Sequence, residues 1–254
     1  MEYRELNFDS INKLSKREFM LIPVGCIEVH GPSLPLGSDL YIAEAFASLI
    51  AKKKESVIMP SVSYGHADVT KNIFGTISMD CGVLTAYLCK IIYNLISSGF
   101  EKIVVINIHK DNDLAIKSAL AKVFEETTAP VLYINPYNDF SKISDLVFGS
   151  KDNSYKETSL ILASLEIQDK KGIIGEIRLP EHKYEKPSFL KNLQEIGYIR
   201  HVYTSEMQHI NPQKDASARE GRKYMDMVTD EIAGRIDCLE EYINFLKNSE
   251  KNGF

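Results

Sequence analysis

Apolar residues fall along this chain in two rhythms. Short unbroken runs stand at residues 19–25, 56–59, 102–107 and 129–134, the third built on Ile103-Val104-Val105-Ile106. Runs this short, without polar alternation, predict parallel strands buried on both faces. Between them the spacing turns helical. Residues 39–53 place Ile42, Ala43, Phe46, Leu49 and Ile50 on one side. Residues 83–98 form an amphipathic stretch stopped by Gly99. Helical spacing returns at 113–126, at 155–165 and along 215–247, where a break is expected near Gly234. Residues 61–80 are rich in Gly, Ser, Thr and Asn and predict a long loop or a small β excursion. From 172 to 211 the pattern is weak and charged, and Pro180, Pro187 and Pro212 interrupt it. Strand and helix alternate through 19–134, so the expected fold is α/β, a mainly parallel sheet with helices on both faces. No repeat or linker divides the chain, and residues 1–254 are expected to form a single domain.

Composition narrows the function classes. Of 254 residues, 44% are hydrophobic and 26% charged, which is ordinary for a soluble protein. A net charge of -5 with no basic cluster argues against a nucleic-acid partner. No apolar stretch is long enough to span a bilayer, and the first twelve residues lack a signal-peptide core. A cytoplasmic protein without membrane attachment is the expectation. Cys26, Cys81, Cys89 and Cys238 are scattered without CxxC spacing and are expected to be free thiols.

Two polar clusters follow apolar runs. The first is Cys26-Ile27-Glu28-Val29-His30-Gly31-Pro32, with Asp39 completing the same turn-rich segment. The second is Asn107-Ile108-His109-Lys110-Asp111-Asn112. Both lie where an open parallel sheet keeps its ligand, beyond the carboxyl ends of its strands. On extended backbone, residues two apart share a face. Glu28 and His30 are therefore expected to point into one cavity, and His109 and Asp111 to repeat that geometry. Plainer alternatives stand beside this: Asp39 and Asp111 suit helix caps, and His109 suits a hydrogen-bonded strand end. Three carboxylates and two imidazoles nevertheless make a ligand set for two divalent ions sharing a carboxylate. Mixed nitrogen and oxygen donors suit Zn or Mn, with Fe also admissible. Such a pair activates water and polarises a carbonyl, the equipment of an amide or cyclic-amide hydrolase. Cys26 lies close enough for a catalytic thiol to be considered, but a metal site explains its neighbours better. Lys110 and Lys151 flank the proposed site. Facing inward they would favour an anionic small molecule; otherwise they are surface lysines. His66 lies within reach in the 61–80 loop, His182 and His201 read as exposed, and His209 reads as ordering the Asn211-Pro212 turn.

These residues resemble the creatininase (creatinine amidohydrolase) family. The resemblance rests on Pro23-Val24-Gly25, Glu28-Val29-His30-Gly31, Leu34-Pro35 and Asp39. Weaker matches follow in order: Tyr64-Gly65, Phe74-Gly75-Thr76-Ile77-Ser78, Asn107-Ile108-His109, Asp111-Asn112, Glu157-Thr158-Ser159 as a helix start, and Asn211-Pro212, Ala216-Ser217 and Gly221. It covers about residues 19–235. It implies a three-layer α/β/α sandwich, usually a hexamer. It also implies two metal ions on Glu28, His30, Asp39, His109 and Asp111. Asp39 would bridge, with Glu28 and His109 on one ion and His30 and Asp111 on the other. The sequence departs from the family at Ser33, where a His is common, and at Ile108, where Gly is common. The family's Glu-His-Ala-Gly run is here Lys151-Asp152-Asn153-Ser154, so Asp152 takes the place of a proton-shuttling His. The chain has no Trp, whereas creatininase surrounds its substrate with tryptophans, so creatinine is not the expected substrate. The implied activity is hydrolysis of another small cyclic amide or formamide. The competing expectation is a relative that kept its ligands, lost turnover, and binds or regulates. Apolar residues along 224–246, together with the resemblance, also imply a homo-oligomer.

Overall fold

A computed structural model describes residues 1–14, 18–178, 187–197, 199, 201–202 and 212–251. After a short helix α1 (Phe8–Lys13), strand β1 (Phe19–Val24) leads to helix α2 (Ser38–Lys53) and strand β2 (Ser56–Ile58). Helix α3 (Cys81–Ser97), strand β3 (Ile103–Asn107), helix α4 (Asp113–Thr127) and strand β4 (Val131–Ile134) complete the sheet region. Helices α5 (Ser141–Phe148), α6 (Asn153–Ile167), α7 (Ser188–Ile196), α8 (Ala218–Arg235) and α9 (Cys238–Lys251) follow. The strands lie in the order β2-β1-β3-β4, and all three pairings are parallel.

Alternate residues of each strand feed opposite cores, as the strand period of two requires. Phe19, Leu21, Val104 and Ile106 pack with Ile42, Phe46, Leu160, Tyr224 and Met225 from α2, α6 and α8. Met20, Ile22, Val24, Ile103 and Val105 pack with Leu84, Leu88, Ile92, Ile116 and Val123 from α3 and α4. The result is a three-layer α/β/α sandwich with a parallel sheet at its centre. β1 is buried along its whole length, which explains why its sequence carries no alternation.

The topology also fixes where a site can form. After β1 the chain crosses α2 to β2 on one side, and after β3 it crosses α4 to β4 on the other. α2 and α4 lie on opposite faces. The connections thus diverge between β1 and β3, opening a crevice beyond their carboxyl ends. The 61–80 stretch is indeed irregular. It touches the sheet region through isolated bridges, Val24 to Val62 and Ile27 to Ile77. The expected break near Gly234 falls between α8 and α9. Most of the apolar stripe there serves this chain's own core, with Tyr224, Met225, Val228, Ile232, Ile236, Leu239 and Ile243 buried, while Tyr242 and Phe245 remain exposed. Three short helices, α1, α5 and α7, are not expected from the pattern. α7 has no buried residue, although Phe189, Leu190, Leu193 and Ile196 fall at helical spacing.

Candidate metal centre

The crevice holds the two polar clusters. Gly25 lets β1 end against the first turn of α2, since a Cβ there would lie 2.8 Å from the Leu40 nitrogen. That close approach sets Asp39 opposite Glu28 and His30. Gly37, not Asp39, is the N-cap of α2, so the Asp39 carboxylate is left to face the histidines. Its place in the first helical turn also favours a negative charge.

Each imidazole is oriented by a main-chain carbonyl. His30 Nδ1 lies 3.0 Å from the Glu28 carbonyl oxygen, a contact in which only the ring can donate. His30 Nε2 is thereby turned to Asp39 Oδ1 at 3.5 Å and to Glu157 Oε1 at 3.2 Å. His109 reverses the roles. Its Nε2 donates to the His66 carbonyl at 3.0 Å, which leaves Nδ1 facing Glu28 Oε1 at 2.9 Å and Asp39 Oδ2 at 3.0 Å. Holding the far ring nitrogen on a carbonyl is how ligand histidines are fixed in tautomer and direction. Thr70 Oγ1 donates to Glu28 Oε2 at 2.6 Å.

Among the described residues two groups of three emerge, Glu28–Asp39–His109 and His30–Asp39–Glu157, with ligand atoms in each within 4.8 Å of one another. Asp39 belongs to both. Three carboxylates and two imidazoles thus share a largely buried pocket. With neutral histidines they would hold three uncompensated negative charges, an arrangement that demands cations or protons. Burial pushes both histidines toward the neutral form, yet the charges of Asp39 and Glu157 on His30, and of Glu28 and Asp39 on His109, raise both well above 6.5. Burial works to raise Asp39, but the two imidazoles override it and hold the carboxyl below 3.8. The donor chemistry, mixed nitrogen and oxygen around a shared carboxylate, fits two divalent ions.

Four of the five expected ligands come together here. Asp111 does not join either group. The chain enters a 3-10 turn at Lys110–Asn112 directly after His109, so the extended spacing that would align residues two apart is lost. Asp111 instead lines the outer wall of a cavity of about 320 Å³, with Lys110, Tyr137, Asn138, Asn153, Glu157 and His201. Its place beside His30 is taken by Glu157, on the otherwise buried face of α6. Sequence reasoning noted Glu157 only as a helix start; its signal was a carboxylate in a helix too buried to leave it unpartnered. Asp152 is exposed and is the N-cap of α6, its Oδ1 accepting from the Tyr155 N–H at 2.8 Å. Lys151 points away to Asp215 at 3.1 Å and sits 4.3 Å from the Tyr155 ring. Lys110 stays at the cavity. His66 contributes its main chain, because its own Nδ1 contacts the Met79 carbonyl at 2.9 Å. His201 is half-buried on the cavity wall rather than exposed. His182 and His209 lie outside the described residues. Cys26 is buried, which pushes its thiol up to about 12 and leaves it unsuited to nucleophilic chemistry. Lys156 donates to the Tyr137 carbonyl at 2.8 Å and braces that ring at 4.2 Å.

Comparison with known proteins bears on the family and the fold. A 3-dehydro-scyllo-inosose hydrolase of Thermotoga maritima is 27% identical over 59% of this chain and 48% of its own length. A mycofactocin precursor peptide peptidase of Mycolicibacterium smegmatis is 33% identical over 40% of this chain and 43% of its own. A creatinine amidohydrolase of Pseudomonas putida is 29% identical over 42% and 43%. The chain thus spans about half the length, or less, of these curated relatives. Two solved creatininases superpose with a TM-score of 0.75 at 20% identity, covering 93% of this chain. One is a manganese form matched over 97% of its length; the other is a glutamate-to-glutamine mutant of Zn-Zn type matched over 96%. The family model described as creatinine amidohydrolase matches residues 4–236, and the chain belongs to the creatininase family.

Proposed function

We propose that this chain is a dinuclear-metal hydrolase that cleaves a C–N bond at the carbonyl of a small cyclic amide or formamide other than creatinine. One observation carries the reading. The buried Asp39 carboxylate faces both imidazoles, Oδ1 toward His30 and Oδ2 toward His109, as a bridging ligand must. Glu28 and His109 would hold one ion, His30 and Glu157 the other. The manganese and the zinc of the two solved creatininases suit this donor set. When bound, such ions lower the pKa of water and polarise a carbonyl oxygen.

The chain's own residues supply the rest. The carbonyls of Glu28 and His66 hold the two rings in place. The cavity volume lies near the lower end of the ~300–1,000 Å³ usual for small-molecule sites, which limits the substrate to a small molecule. Tyr137 offers an aromatic wall in a chain with no Trp. Lys110 at the rim favours a substrate with a negative group. Lys151, engaged with Asp215, does not share that task. Proton transfer falls to His201, the imidazole on the cavity wall outside the ligand groups, rather than to Asp152, whose carboxylate caps α6. The relatives are named for widely different substrates, so substrate choice falls to these wall residues. A second reading, a ligand-binding relative without turnover, draws on that same use of Asp152. A screen of cyclic amides and formamides with added Mn or Zn, using Asp39→Ala as control, separates them. Hydrolysis lost in the control supports the enzyme, and binding without turnover supports the second reading.

A further inference from the structure

Asn112 stands outside both ligand groups and is fully buried. Its Oδ1 accepts from the His66 N–H at 2.7 Å. Its Nδ2 donates to the Gly25 carbonyl at 3.0 Å and to Asn107 Oδ1 at 3.1 Å. One side chain therefore ties the end of β1, the 61–80 loop and the end of β3. Asn107 is anchored in turn, its Nδ2 lying 2.8 Å from the His109 carbonyl, 3.3 Å from Asp113 Oδ1 and 3.1 Å from the Tyr133 hydroxyl. Gly65 threads the gap beside Asn112. A Cβ at that position would lie 2.5 Å from the Gly25 oxygen and 2.7 Å from Asn112 Oδ1. The residue whose N–H Asn112 holds is also the residue whose carbonyl receives His109 Nε2.

We infer that Asn112 is a positioning residue for His109. It acts through the His66 main chain to aim His109 Nδ1 at Glu28 and Asp39, and so sets the affinity of the Glu28–Asp39–His109 group for its ion. The His30–Asp39–Glu157 group takes its ring orientation from the Glu28 carbonyl, not from the His66 main chain. The inference rests on the dinuclear reading proposed above. A residue that merely stabilised the fold would lower the melting temperature without choosing between the two ions.

The test is a two-site zinc titration against a competing chelator, with thermal unfolding of the metal-free protein alongside. Asn112→Leu keeps the volume and removes all three bonds; Asn112→Ser, which shortens the arm, answers for it if the leucine variant fails to melt cooperatively. Either folded variant should weaken one site by about 10- to 100-fold, the usual cost of losing an outer-shell partner, and leave the other within about twofold. Ser78→Ala is the control. It removes the bond from the Ala67 N–H to Ser78 Oγ at 2.9 Å, loosening the same loop one residue on, and should change neither site. Both sites at wild-type affinity in a folded Asn112 variant, equal weakening of both, or the same selective loss in Ser78→Ala would each overturn the inference alone. A wild-type protein that binds no ion would overturn it together with the dinuclear reading.

Discussion

The floor of the cavity and its wall make an instructive contrast. On the floor, Glu28, His30, Asp39 and His109 are all 8% exposed or less, and a neighbouring carbonyl or carboxylate faces each ring nitrogen. On the wall, Lys110, Asn138 and Asn153 are exposed, while Asp111 and His201 are half-buried. A buried charged group must be partnered or it costs more than the fold can absorb, whereas a solvated one is free to vary. The floor would therefore hold the proposed metal ions in one geometry. On the proposed reading, the wall is where a change of residue would alter the substrate without unfolding the protein.

The sharpest way to break the contrast is to move the boundary between floor and wall. Glu157→Ala should cut the metal content from about two ions per chain to about one and lower hydrolysis by at least the ~100-fold that losing an outer partner can cost. Asp111→Ala, a wall substitution, should leave two ions. Metal analysis of the two variants decides it, and the opposite pattern would return Asp111 to the floor.

Within the wall, His201→Gln should lower kcat by about 10²-fold, the lower end of what general acid–base groups supply, and should flatten one limb of the pH profile. Asp152→Ala should leave kcat unchanged and cost about 1 kcal/mol of stability through the lost cap. Asp152→Asn, which can still cap α6, should cost less. Steady-state kinetics and thermal melts of the three variants separate the roles.

A smaller effect sharpens the electrostatic side. In the metal-free protein both histidines have raised pKa values despite burial, because carboxylates face them. Their protonation therefore contributes stability that is fully present below about pH 6.5, the unfolded value, and is lost as pH rises through the folded values. Bound ions take the place of those protons. The melting temperature of metal-free protein should fall as pH climbs above 6.5, and the gain on adding Zn should widen over the same range. A gain independent of pH would mean that the imidazoles are not ligands.

The same contrast governs how much the sequence reveals. β1 and β3 are legible because burial on both faces leaves unbroken apolar runs, and their ends mark the site because the parallel order puts it there. Glu28, His30, Asp39 and His109 follow those runs directly. Glu157 is harder to see because it reaches the floor from a helix 118 residues beyond Asp39, through packing of α6 against α2. Asp111 stands apart from both groups because the backbone turns into a 3-10 helix where the sequence reading takes an extended spacing. The roles of Thr70 and the His66 carbonyl depend on loop hydrogen bonds that no periodicity records. α7 does carry a signal, Phe189, Leu190, Leu193 and Ile196 at helical spacing, but it is short and lies in a stretch broken by prolines and charge.

The shared carboxylate is the centre of this account, and metal counting tests it most directly. Protein purified without chelator and equilibrated with Zn or Mn should hold close to two ions per chain by elemental analysis. Asp39→Ala, folded by its thermal melt, should lose both, because each group of three contains that residue. Two ions retained in Asp39→Ala, or none in the wild type, would contradict it.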